Sequence, residues 1–425
     1  MKFCNASFYF LIIIMIIKKS IQSYVVYPFK KSKKENKIYP ENIIQNDIEI
    51  TIEIGTPPQK IDLNIRSSEF TFFVTSYRVY LPYQTFNETN SKSLIKLVNA
   101  TTFNGKEYKK GEKISESIII NDQPINDITL ILATLLEYKE SGALGLKLVE
   151  NRVGTDDLSF IYQIKNKANF DNYGFTLKYD DYNDEKGELI IGSYPHLYNN
   201  EKYKENCFSF YKTGILNKML DWVLDFNDII YGNEIIEQIA NKSLIKIEFG
   251  LIQAPYKLKK YFNDTFFFGK CSETYHASRN IFIITCDKSF DISKFKNLKF
   301  YHKKLEYEFV LTYKDLFIEE DNKYIFGIVF DNNQLNEDKS FWILGKPFMK
   351  KYQLVFDLDR KIIGFYKNNN KEGEKKSFNI YIVLLIILIL IIIGLIVFII
   401  YFFKKERKKK AYELNDDNFD YLPSE

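Results

Sequence analysis

Apolar and polar residues alternate almost strictly through Ile48-Glu49-Ile50-Thr51-Ile52-Glu53-Ile54, the period-two pattern of a strand with one buried face. Gly55-Thr56-Pro57-Pro58 supplies a turn, and alternation resumes in Lys60-Ile61-Asp62-Leu63-Asn64-Ile65, so the stretch predicts a hairpin. Farther on, Leu158-Ser159-Phe160-Ile161-Tyr162-Gln163-Ile164 carries its apolar residues at helical spacing. Tyr173-Gly174-Phe175-Thr176-Leu177 and Gly187-Glu188-Leu189-Ile190-Ile191-Gly192 predict a second hairpin joined by a polar loop. With many Ile, Tyr and Phe residues, the composition favours strands.

Two apolar stretches have a different character. Lys2 precedes an apolar run over 8–17 and Lys18-Lys19-Ser20 follows it, the layout of a secretory signal; residues 1–23 are read as a signal peptide, with an uncleaved signal anchor as the alternative. Residues 380–403, opening on Ile380 and closing on Phe403, are long enough as a helix to cross about 30 Å of hydrocarbon. Lys404-Lys405-Glu406-Arg407-Lys408-Lys409-Lys410 follows, which by the positive-inside rule places 404–425 in the cytosol, with 368–379 as a polar stalk. The expectation is a single-pass type I membrane protein whose folded part lies in a secretory or endolysosomal lumen or outside the cell. The tail stretch Asn415-Asp416-Asp417-Asn418-Phe419-Asp420-Tyr421-Leu422 reads as solvated disorder or as a sorting signal.

Composition fits that compartment. Asn87, Asn99, Asn241 and Asn263 each begin an Asn-X-Ser/Thr triplet and are glycosylation acceptors if the chain is secreted. Cys271 and Cys286 are close enough to form a disulfide worth about 3 kcal/mol; Cys4 lies in the signal, and Cys207 is left over, buried and free or paired with another molecule. The net charge of +4 is small against 59 basic and 55 acidic residues, which argues against nucleic-acid binding. Three His, no metal-ligand cluster and no phosphate-cradling glycine loop leave no expected metal or cofactor. The 425 residues suffice for two lobes with their own cores, and a monomer is expected.

Gly55-Thr56-Pro57-Pro58-Gln59 leads at fixed spacing into Arg66-Ser67-Ser68, Ser141-Gly142-Ala143-Leu144-Gly145-Leu146 follows, and the chain closes on Trp342-Ile343-Leu344-Gly345, Tyr352-Gln353-Leu354-Val355-Phe356-Asp357 and Ile362-Ile363-Gly364-Phe365. In order and spacing these resemble the pepsin-like aspartic proteases. The resemblance implies an all-β, bilobal fold with a few short helices and lobes at 48–196 and 197–367; residues 24–47 read by composition as a polar linker, where the family carries a prosegment. The resemblance implies a flap near Tyr108-Lys109-Lys110-Gly111, with Tyr108 and Gly111 as substrate-binding positions, and sets Phe73 where the family has a flap-holding Trp.

It also implies one catalytic Asp per lobe, and here the first position holds Arg66. Anchoring the second loop on Ile229-Ile230-Tyr231-Gly232 sets Leu224 at the other position; a one-residue deletion brings Asp225 there as a surrogate. Hydrolysis by this fold needs two carboxylates sharing a proton around one water. A guanidinium only donates hydrogen bonds, and leucine does not ionise. Asp62 and Glu69 are expected to be surface charges, while Arg66 is expected either to pair with Asp225 or Asp228 or to extend into a wet cleft. The leading reading is a non-catalytic family member that binds peptide or protein in the cleft between its lobes. The alternatives are an active aspartic endopeptidase of the secretory pathway and an adhesin or receptor that uses the fold as a scaffold.

Overall fold

The computed structural model describes residues 23–32, 40–79, 84–103, 106–136, 140–148, 159–180, 183, 185–216, 219–332, 341–367 and 403–405; for 99–103, 106–109, 219 and 239–241 it describes the backbone alone. The signal-peptide, stalk, membrane-span and tail expectations fall outside the described residues, apart from Ser23 and 403–405. Among the described residues no helix is long and apolar enough to cross a membrane. Met1–Lys367 forms one compact unit and Asn368–Glu425 another.

The first part of the chain forms β1 (Val25–Lys31), β2 (Ile48–Ile54), β3 (Gln59–Arg66), β4 (Phe73–Thr75), β5 (Ile95–Phe103), β6 (Lys106–Ile120), β7 (Gln123–Leu135), β8 (Gly142–Gly145), β9 (Gly174–Tyr179) and β10 (Lys186–Ile191). The remainder forms β11 (Phe208–Lys212), β12 (Ile215–Leu216), β13 (Met219–Leu220), β14 (Val223–Tyr231), β15 (Glu234–Ile245), β16 (Ile252–Pro255), β17 (Cys271–His276) and β18 (Ile281–Asp287). It closes with β19 (Leu298–His302), β20 (Tyr307–Leu311), β21 (Phe317–Glu320), β22 (Lys323–Phe326), β23 (Ile328–Asp331), β24 (Trp342–Leu344), β25 (Val355–Asp357) and β26 (Ile362–Tyr366). Short helices, among them Phe160–Ala168 and Lys346–Tyr352, fill corners.

Two large sheets carry the fold, one of 13 strands ordered β11-β26-β25-β9-β10-β1-β2-β3-β8-β4-β7-β6-β5, the other of 11 strands with β14, β15, β24 and β16 adjacent at its centre. The predicted β2–β3 hairpin pairs from Glu49↔Asn64 to Ile54↔Gln59, and its alternation places Ile50, Ile52, Ile61 and Leu63 in the core. Trp222 joins the sheets: its ring meets Phe175 and Phe356 edge-on, and its Nε1–H donates to Leu146 O at 2.8 Å. β25 pairs with β9, so the first sheet includes strands from beyond residue 197 and does not follow a division of the chain there. Cys271 and Cys286 face each other across β17 and β18 in a disulfide.

The expectation of a polar linker over 24–47 is corrected where the chain is described, at 24–32 and 40–47; residues 33–39 lie outside the described residues. β1 lies inside the first sheet, bonded to β10 on one side and β2 on the other. Val25, Tyr27 and Phe29 alternate with outward residues and are buried, Phe29 edge-on to Tyr179. The strand ends on Lys30-Lys31, and that basic run hides its apolar face from a reading by composition. Glu41–Ile44 then forms a one-turn helix whose Ile44 packs with Leu251 and Ile281.

Candidate functional site

In the first sheet, β3 runs parallel to β8, and β8 runs antiparallel to β4, with Arg66 level with Gly145. The second sheet repeats this: β15 runs parallel to β24 and β24 antiparallel to β16, with Ile245 level with Leu344. The Lys246 N–H still reaches Leu344 O at 3.1 Å, so Lys246 stands beside Gly345 as Arg66 stands beside Gly145. Both glycines are required by close approach: a Cβ on Gly145 would lie 2.4 Å from Phe70 C, and one on Gly345 would lie 2.2 Å from Phe249 O. Each strand therefore ends in a loop folded over a glycine, and the two loops meet.

Hydrogen bonds tie them together. The Ile247 N–H donates to Ser67 Oγ at 2.9 Å. The Ser67 N–H, the Ser67 hydroxyl and the Ser68 N–H all donate to the Glu248 carboxylate, at 3.0, 2.8 and 3.1 Å. Burial, the largest influence on Glu248, disfavours its charge. The hydrogen bonds, including that from Ser68, and the nearby Lys246 and Arg66 outweigh it and hold the pKa below its ordinary value.

Arg66 follows neither expectation, pairing with neither Asp225 nor Asp228 and not extending free into solvent. Its guanidinium lies 3.1 Å from Asp47 and 3.4 Å from Glu140, and Glu140 also accepts from Asn64 Nδ2 at 3.1 Å. Burial again works against the charge, but Glu140, Asp47, Glu248 and Glu69 outweigh it and raise the pKa, so Arg66 stays a cation. Nearby, Lys147 lies 3.6 Å from Asp221, whose pKa burial raises against the pull of that lysine. Asp62 faces outward, accepting from Thr51 at 2.6 Å and from Lys30 at 3.4 Å.

The placement of the second loop is also corrected. Leu224 and Asp225 lie inside β14, a strand rather than a loop. Leu224 is fully buried, and Phe226 packs on Phe300, Phe309 and Phe348. Asp225 accepts from the Tyr211 hydroxyl at 3.0 Å. Gly232 belongs to the turn between β14 and β15, the counterpart of Gly55 between β2 and β3. Gly232 is therefore a hairpin glycine and not a loop glycine, and Leu251-Ile252-Gln253-Ala254-Pro255, one strand later, is the stretch that follows the second loop. Lys246, Glu248, Asp47 and Glu140 were missed for that reason and because ion-pair partners leave no local pattern.

The segment after the Glu41–Ile44 helix lines the second loop. The Asn46 N–H donates to Glu248 O at 3.0 Å, its side-chain amide donates to Ile247 O at 2.8 Å, and the Gly250 N–H donates to Ile44 O at 2.7 Å. Gln45 bridges to Phe249. Residues 44–47 therefore run from the second loop to the Arg66 ion pair.

The flap expectation is altered in its details. Phe103 pairs with Lys106 and Thr102 with Lys110, so Tyr108 falls in an irregular stretch of β6 beyond the hairpin turn. Its side chain lies outside the described residues. Gly111 sits within the sheet opposite Ala133, where a Cβ would lie 2.6 Å from Leu132 O, so its role is packing. Phe73 is buried with Ile131, Ala133 and Ala143. Of the glycosylation acceptors, Asn87 caps a short turn by accepting from the Thr89 N–H, and Asn263 donates to Glu273 at 3.3 Å. Asn99 and Asn241 lie in β5 and β15 with side chains outside the description. Cys207 is half-buried at the start of β11, apart from the disulfide.

Two sheets whose equivalent loops meet over a pair of glycines define the architecture of a two-lobed acid protease. A family model described as eukaryotic aspartyl protease matches residues 49–368, and the chain belongs to that family. It is also similar to Plasmepsin VII of Plasmodium berghei (strain Anka), at 29% identity over 155 residues. That match covers 36% of this chain and 31% of that protein, so the chain spans about a third of the length of the relative it matches.

Proposed function

We propose that this protein is a membrane-anchored member of the family that binds peptide or protein in its cleft without hydrolysing it. The observation that carries this reading is the occupation of the two equivalent loop positions by Arg66 and Lys246. Acid-protease chemistry needs one carboxylate as base towards water and another as donor to the scissile carbonyl. A guanidinium and an amine supply neither arrangement. Glu248 is the acid that bridges the two loops, but three donors already hold its oxygens and keep it ionised, which makes it a weak base with no proton to give.

Recognition without chemistry remains open to the fold, because β5 ends the first sheet as an edge strand able to pair with an extended peptide. The apolar run at 380–403 and the basic run after it support a membrane anchor. The disulfide and the four acceptor triplets support an oxidising, lumenal or extracellular compartment. The test is to expose the full-length chain in mild detergent to a randomised, quenched peptide library across pH 3 to 7, with and without pepstatin. No turnover is expected at any pH, with some library peptides retained by the immobilised protein. Pepstatin-sensitive cleavage would overturn the reading.

A further inference from the structure

We propose that the folded unit rests on the bilayer through an aromatic face at the β11 edge of the first sheet, with phospholipid as its partner. This rests on the reading of 380–403 as a membrane anchor. β11 is the terminal strand of that sheet. Its residues Phe208, Phe210 and Lys212 share one face by strand alternation, and Phe208 lies opposite Tyr366. The rings are contiguous: Phe208 contacts Tyr194 at 5.4 Å between centroids, Tyr366 at 5.2 Å and Phe210 at 6.1 Å. Phe210 is 46% exposed, and Leu197 and Ile215, on the elements just before and after β11, are 57% and 54% exposed. A contiguous aromatic face with an exposed ring at a sheet edge calls for a partner more than single apolar residues scattered over a surface do.

The position of the chain's exit names that partner. The Lys367 N–H donates to Cys207 O at 2.9 Å, so the chain leaves the fold directly beside β11. The aromatic face therefore lies beside the residue after which the expected stalk and anchor follow. Tyrosine and other aromatic rings favour the headgroup level, where one end is apolar and the other wet. The Arg360 guanidinium lies 4.6 Å from the Phe210 ring, and exposed Lys202, Lys204 and Lys212, on β11 or just before it in sequence, suit headgroup phosphates. Glu201 and Glu205 sit among them, so the rings contribute more than net charge.

The experiment places the full-length chain in lipid nanodiscs with brominated acyl chains and reads indole fluorescence. Native Trp222 and Trp342 are fully buried, so they give a constant background. Phe210→Trp places a reporter on the face, and Phe268→Trp, at a side chain 76% exposed and outside the face, is the control. The expected result is loss of the reporter's emission for Phe210→Trp and none for Phe268→Trp. Retention in discs with no quenching, or with equal quenching at both positions, overturns the docking face and leaves the anchor standing. Failure of the chain to enter discs overturns the anchor, and the docking face with it.

Discussion

Glu248 shows how far a single side chain departs from what its position requires. It stands two residues beyond Lys246, as Ser68 stands beyond Arg66, and its carboxylate reaches across to the amides of the other loop. Its folded pKa lies below the ordinary 4.5, so the charged form is favoured more in the native state than in the unfolded chain. Such a group contributes its full stability above its unfolded pKa and loses it as pH falls through the folded value. Glu248→Gln is therefore expected to be less stable than the native chain at pH 7. The gap should close as pH falls below about 4.5, measured as thermal midpoints of the two proteins across pH 3 to 7. A gap independent of pH would mean that the carboxylate is not the group that matters. At this scale the sequence was half legible. Arg66 could be read directly because an ungapped motif precedes it. Lys246 could not, because a turn glycine at Gly232 imitates the one expected in the loop, and both lie among similar Ile-rich strands.

At the scale of elements, the alternating hairpin of β2 and β3 and the closing motif around the Lys346–Tyr352 helix were legible, since a strict period of two and a Gly-Lys-Pro start leave few options. β1 was not, although Val25, Tyr27 and Phe29 carry the same period, because lysines at its end and beyond dominate the composition. Its structural weight is large. It fills the space between β10 and β2, and Phe29 covers Gly187, where a Cβ would lie 2.4 Å from its ring. Phe29→Ala is expected to lower stability by about 3–5 kcal/mol, the range for truncating a buried phenylalanine, read from the denaturant midpoint. A chain starting at residue 48 loses β1 whole, opens two unpaired strand edges and removes Asp47 from Arg66. It should elute as aggregate where a chain starting at residue 23 elutes as a compact species; equal behaviour would show β1 to be dispensable.

For the whole molecule, the proposed loss of protease chemistry can be placed either in two residues or in their surroundings. Arg66→Asp combined with Lys246→Asp would restore the acids at both equivalent positions. It would also remove the cation from Asp47 and Glu140 and set two more carboxylates beside Glu248. Like charges so placed raise one another's pKa, and a group whose folded pKa is raised contributes stability below its unfolded value that is lost as pH rises. The double variant should thus be much less stable than the native chain at pH 7 and recover towards pH 4. Even at pH 4 it should leave the peptide library uncut, because Glu248 still occupies the amides of Ser67 and Ser68 and residues 44–46 still run along the second loop. Calorimetry at the two pH values checks the first part and the quenched library the second. Cleavage by a stable double variant would show that two substitutions alone separate this fold from catalysis. Silence with the expected pH dependence would place the loss in the shared network, where each charge is fitted to the others and none can be exchanged alone.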